Sequence, residues 1–213
     1  MEMIPEKTES DSKEQDVTYE SFELNSFSEI VKEILDSKDS SSFCFVDWDQ
    51  TVTGGGLENI RNPEISLEVK DSLRDLLGGF PVGNVCITTD RAGIAPSVLE
   101  NVVFNTKEVL DALAEFLEES DYPGTVPIFL ALKKQLPGLM SNQREDLVKH
   151  VVEQIVSKNI QGNMKIFMIE NFSSLGLSRR KFLEKVGKEV KEKLNREYDR
   201  DLGIDIKDYI LKH

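Results

Sequence analysis

Histidine and cysteine are scarce in this 213-residue chain, with two of each, and tryptophan occurs once. His150 falls on an expected helix and His213 is terminal, so neither has a metal-ligand partner at a useful spacing. Cys44 and Cys86 both sit in apolar, strand-like runs. Buried free thiols in a reducing compartment are expected, rather than a disulfide or a metal pair. No apolar run approaches the roughly 20 residues of a membrane span. The opening stretch MEMIPEKTESDSKEQ lacks the apolar core of a signal peptide, so an intracellular, cytoplasmic protein is expected. Positive charge is also short: 26 Lys and Arg face 39 Asp and Glu, a net charge of −13. That balance argues against nonspecific binding to nucleic acid or to a membrane surface. Eight acids against two lysines among residues 1–25 put −6 of that charge at the amino end. Most of the acidity there describes a tail.

The chain is long enough for one domain with a real core. Residues 1–22 are polar and without hydrophobic period, which reads as a disordered or loosely attached leader. The remainder, 23–213, reads as one domain. A short helix is expected from Phe22, with Phe27, Ile30, Val31 and Ile34 at helical spacing. SFCFVDWD, NVCITTD, TVPIFLALKK and NMKIFMIEN are expected strands. Between them, ISLEVKDSLRDLLGGF, KEVLDALAEFLEES and SNQREDLVKHVVEQIVSKN are expected helices, the last opened by Ser141. RAGIAPSVLENVVF is expected to hold a short helix, with room for a short strand. A long amphipathic helix from about Leu177 closes the domain. Its apolar residues Phe182, Val186, Val190, Leu194 and Tyr198 recur every four positions, a step that overshoots the helical repeat by about 40°. Packing across the domain is the expected use of that stripe, with a basic docking surface for a protein partner or an anionic substrate as the alternative. Strands alternating with helices predict an α/β fold: Rossmann-like, three-layer α/β/α, with a mainly parallel central sheet.

In such sheets ligands gather beyond the carboxyl ends of the strands. The first expected strand ends there in Asp47 and Asp49, followed by Thr51 and the glycines 54–56. Two ionised carboxylates this close repel, and a divalent cation relieves the repulsion. Mg²⁺ suits hard oxygen ligands and a substrate phosphate.

Asp47-Trp48-Asp49-Gln50-Thr51-Val52 after FCFV resembles the first motif, DxDxT(L/V), of the haloacid dehalogenase-like phosphohydrolases. NVCITTDR is similar to the family's second motif and MKIFMIEN to its fourth. The resemblance covers about residues 43–171. It implies a Mg²⁺-dependent phosphatase in which Asp47 attacks phosphorus and forms an aspartyl-phosphate. Asp49 would protonate the leaving group and then activate water. Thr89, or Thr88 beside it, would hold a phosphate oxygen, and a Lys would neutralise charge. Lys134 is favoured for that role, with Lys133, Arg144 and Lys149 as alternatives. Mg²⁺ would be held by Asp47, the Asp49 carbonyl and Glu170. The chain departs from the family pattern at Glu170-Asn171, where Asp, often with a second acid, is usual. Only about thirty residues separate Thr51 from the next strand, so a capless or minimally capped member is expected. An open site of that kind suits a phosphoprotein or another large phosphorylated substrate. The rival reading is a catalytically silent domain of the same fold, used for binding.

Overall fold

The computed structural model describes residues 17–53, 64–89, 106–130, 137–171 and 173–212. Strand β1 (Val17–Leu24) leads to helix α1 (Phe27–Ser37) and then to β2 (Phe43–Asp47). There follow α2 (Leu67–Gly79), β3 (Val85–Thr89), α3 (Thr106–Glu119) and β4 (Ile128–Leu130). The chain closes with α4 (Pro137–Ser157), β5 (Met164–Glu170), α5 (Ser173–Tyr198) and β6 (Ile204–Leu211). All six strands are parallel, in the order β1-β6-β5-β2-β3-β4.

Two apolar layers, one on each face, hold the sheet. On one side Cys44, Val46, Val85, Ile87, Phe167 and Ile169 meet α1, α2 and α3. On the other, Phe43, Phe45, Cys86, Ile166 and Met168 meet α4 and α5. Successive residues of a strand point to opposite faces, so a strand covered on both sides is apolar throughout. That is why β2 and β3 are buried at every position. The result is a Rossmann-like three-layer α/β fold.

Local chemistry sets the helix ends. Ser26 caps α1 by accepting from the Glu29 amide, and Ser66 caps α2 by accepting from Val69. At Gly79 a Cβ would meet the end of the Leu35 side chain, so the end of α2 lies close against α1 and a side chain there would displace Leu35. No helix among the described residues is long and apolar enough to cross a membrane.

Four expectations need correction. Residues 17–22, assigned to the leader, form most of β1, which pairs in parallel with β6 from Val17↔Ile204 to Leu24↔Leu211. The domain ends in strand β6 rather than in a helix, because Ile204 and Ile206 face the α4–α5 layer while Tyr209 faces the other. Helix α4 begins at Pro137, four residues before Ser141; proline is suited to a first helical turn because its missing N–H needs no partner there. In α5 the buried face is Leu183, Val186, Val190 and Leu194, with Tyr198 43% exposed. The 40° drift per four-residue step carries both ends of the stripe away from the sheet, and Leu183 replaces Phe182 at its start. The middle of the stripe is inside the core. The expected helix in 91–104 and the glycines 54–56 lie outside the described residues.

The cysteines are free and buried. They face opposite sides of the sheet, so they cannot bridge. Burial pushes both thiols well above their ordinary range.

Candidate active site

The direction of chain crossover reverses between β2 and β5. From β2 the chain moves through β3 to β4 along one face; α4 then returns it to β5 on the far side of β2. A crevice outside the carboxyl ends of β2 and β5 is the usual ligand position in such a sheet. Asp47 ends β2 and Glu170 ends β5.

Register brings these ends together. Asp47 pairs with Thr88 of β3, and Val46 pairs with Ile169 of β5, so the next step sets Asp47 beside Glu170. Asp47 continues the row of Phe43 and Phe45, and Glu170 continues the row of Ile166 and Met168, both on the α4–α5 side. Asp47, Thr88 and Glu170 therefore lie abreast on three neighbouring strands, spaced by about 4.8 Å per strand. Asp47 is 7% exposed and Glu170 1%.

Past β2 the chain turns tightly. The Trp48 amide still donates to the Thr88 carbonyl at 3.0 Å, and the Trp48 carbonyl accepts from Val52 at 3.0 Å and Thr53 at 3.3 Å. Within this turn Thr51 Oγ1 donates to Asp47 Oδ2 at 3.2 Å, which orients the carboxylate. Thr89 Oγ1 donates to Asp49 Oδ2 at 2.8 Å, tying the second acid to the end of β3. Thr88 points its hydroxyl to the Val46 carbonyl over a long 3.4 Å. Trp48 is fully buried in the layer of α1, α2 and α3, so it packs in the core rather than lining an entrance.

Two residues outside the motif pattern complete this edge. Gln50, between the acids and Thr51, has φ +66°. Asn171, next to Glu170 and 4% exposed, donates from Nδ2 to the Gln50 carbonyl at 2.6 Å. Nothing in the spacing of the motif signals that contact; only adjacency to Glu170 points toward it.

The cation candidates divide. Lys133 and Lys134 lie outside the described residues. Arg144 Nε donates to both carboxylate oxygens of Glu189, at 2.9 and 3.0 Å, and so ties α4 to α5. Lys149 lies 3.8 Å from Glu153, one turn along the same helix. Both border the α4–α5 seam, where Glu145, Lys149, Glu189, Lys193 and Arg196 line an open cleft of about 430 Å³. That cleft includes none of the strand-end acids. His150 is structural: Nε2 meets the Gly83 carbonyl at 2.8 Å and the ring packs on Phe129.

Among the described residues no three His, Cys, Asp or Glu side chains form a metal cage. Mg²⁺ does not need one, since it commonly takes one or two carboxylates plus water and phosphate oxygens. The donor set at the edge is of that kind. Two carboxylates stand abreast, and the buried Asn171 Oδ1, which finds no hydrogen-bond partner among the described residues, is a further oxygen.

No protein-family model, curated protein or solved structure matches this chain.

Proposed function

We propose that the protein is a Mg²⁺-dependent phosphatase working through an aspartyl-phosphate on Asp47. The observation that carries this reading is the convergence of Asp47, Asp49, Thr88, Thr89 and Glu170 at adjoining strand ends beside the switch point.

Asp47 is the nucleophile, oriented by Thr51. Its carboxylate oxygen bonds to phosphorus while the bond from phosphorus to the substrate oxygen breaks. Asp49, in its acid form, gives its proton to that leaving oxygen. In the second half-reaction Asp49 takes a proton from water, the water oxygen attacks phosphorus, and the Asp47 carboxylate departs from inorganic phosphate. Thr89, once its hydroxyl proton turns from Asp49 to the substrate, or Thr88 donates to a phosphoryl oxygen, and Lys134 neutralises charge on the phosphoryl group. Asp47, Glu170 and the Asp49 carbonyl are the groups that would hold Mg²⁺. When bound, the ion offsets repulsion between the carboxylates and stabilises charge on the transferring group.

Residues 48–66, between β2 and α2, are too few for a cap domain. This supports the choice of a phosphoprotein or another large phosphorylated substrate. Release of phosphate from phosphopeptides, with slow turnover of sugar phosphates, is the expected preference; the reverse order refutes it.

The reading is tested by hydrolysis of an aryl phosphate with and without Mg²⁺, in wild type and Asp47→Asn. Activity that needs Mg²⁺ and vanishes in the variant supports the enzyme. No activity in either protein leaves the binding module as the better account.

A further inference from the structure

Four residues other than glycine have positive φ among the described residues: Gln50, Asp121, Asn159 and Asp199. The last three are Asp or Asn, the types that best tolerate left-handed backbone, and each follows the end of a helix. Gln50 is neither. It follows a strand, its side chain offers no local compensation of the Asx kind, and its φ is +66°. A disfavoured conformation persists only where the surroundings over-determine it.

Four hydrogen bonds do so here. The Gln50 amide donates to Thr53 Oγ1 at 3.1 Å, and the Trp48 carbonyl closes the turn on Val52 and Thr53. From outside the loop, Asn171 Nδ2 donates to the Gln50 carbonyl at 2.6 Å. Strand β3 also holds the turn, at Trp48 and Asp49, but among the described residues the contact that reaches Gln50 itself from another strand is that of Asn171, which is 4% exposed. An amide suits the place because the acceptor is a carbonyl. A carboxylate there would set oxygen against oxygen.

We propose that Asn171 is a positioning residue: from the end of β5 it holds the left-handed turn at Gln50, and so fixes where Asp49 meets Thr89. Its effect on rate rests on the phosphatase reading above; its effect on the loop does not. Asn171 need not touch substrate for this. It acts through Gln50, one residue from Asp49, whose carboxylate is anchored 2.8 Å from Thr89.

The test uses the full chain with Asn171→Ala, Asn171→Asp and the double variant Asn171→Ala/Gln50→Gly. Amide hydrogen exchange is followed at residues 49–53 without added Mg²⁺, and aryl phosphate hydrolysis with it. Exchange at Val52 and Thr53 is expected to speed up about tenfold in Asn171→Ala, and at least as much in Asn171→Asp, while β5 amides keep their protection. The kcat is expected to fall roughly 10- to 100-fold with KM little changed, as for a misplaced catalytic group. Glycine takes φ > 0 without steric cost, so Gln50→Gly should recover about fivefold of the rate lost by Asn171→Ala. A packing role for Asn171 would give no such recovery.

Unchanged exchange at 49–53 in both single variants overturns the proposal, as does failure of the glycine to recover rate in an active enzyme. If the wild type hydrolyses nothing while exchange responds as described, the positioning role stands and the phosphatase reading falls. Should Asn171→Ala not fold, Asn171→Ser keeps a donor and carries the exchange measurement, with a smaller acceleration expected and none refuting.

Discussion

Raising the pH from about 7.5 to 9.5 is expected to destabilise the fold by roughly 1–2 kcal/mol through its two thiols alone. Cys44 and Cys86 are both fully buried, one in each apolar layer. Burial raises the folded value of each above the ordinary 9.0. A thiol raised on folding contributes stability that is complete below the unfolded value and is lost as pH rises past it. At pH 9.5 the unfolded chain gains on the order of 1 kcal/mol per thiolate, from RT ln(1 + 10^(pH − pKa)), while the folded chain gains almost nothing. Desolvation lowers Lys158, which works in the opposite direction as pH rises, so the wild type alone does not isolate the thiols. Urea unfolding at both pH values, in reducing buffer, should therefore compare wild type with Cys44→Ala/Cys86→Ala. The wild type should lose roughly 1–2 kcal/mol more than the double variant over this interval. Parallel losses would show that the thiols titrate alike folded and unfolded, and the described burial would be wrong.

Two further substitutions test the packing and the site. Leu194→Ala removes a fully buried side chain from α5 and should cost about 3 kcal/mol, lowering Tm by roughly 6–12 °C; Tyr198→Ala should cost under about 0.5 kcal/mol. Equal shifts in thermal unfolding would mean that the helix face has been misplaced. Thr89→Val keeps the shape of the side chain but removes the donor to Asp49. Turnover of an aryl phosphate should drop about tenfold or more, with stability changed by no more than about 1.5 kcal/mol. A fully active variant would remove Thr89 from the site.

The central strands were legible in the sequence because a parallel strand buried on both faces is an unbroken apolar run, as FCFV and KIFMI are. The edge was not. In β1 the apolar residues change phase: Val17 and Tyr19 face one layer, Phe22 and Leu24 the other. No single period of two survives that change, and a neighbouring run of acids made the segment look like a tail. In β6, Ile204, Asp205, Ile206 and Lys207 do alternate, but they come soon after a long helix that the reading extended to the end. Its partner β1 is nearly the whole chain away, and local pattern carries no trace of such pairing. The acids Asp47, Asp49 and Glu170 could be found because each ends or follows a strand. The contact from Asn171 to Gln50 spans 121 residues and depends on one backbone angle, which no residue type at position 50 announces.

The most direct test of the aspartyl-phosphate is to quench the protein in acid during turnover of an aryl phosphate with Mg²⁺ and to locate any phosphoryl adduct by mass spectrometry. A phosphoryl group on Asp47, absent without Mg²⁺ and absent in Asp47→Asn, is the predicted result. Steady turnover with no adduct on Asp47, and undiminished in Asp47→Asn, would contradict it.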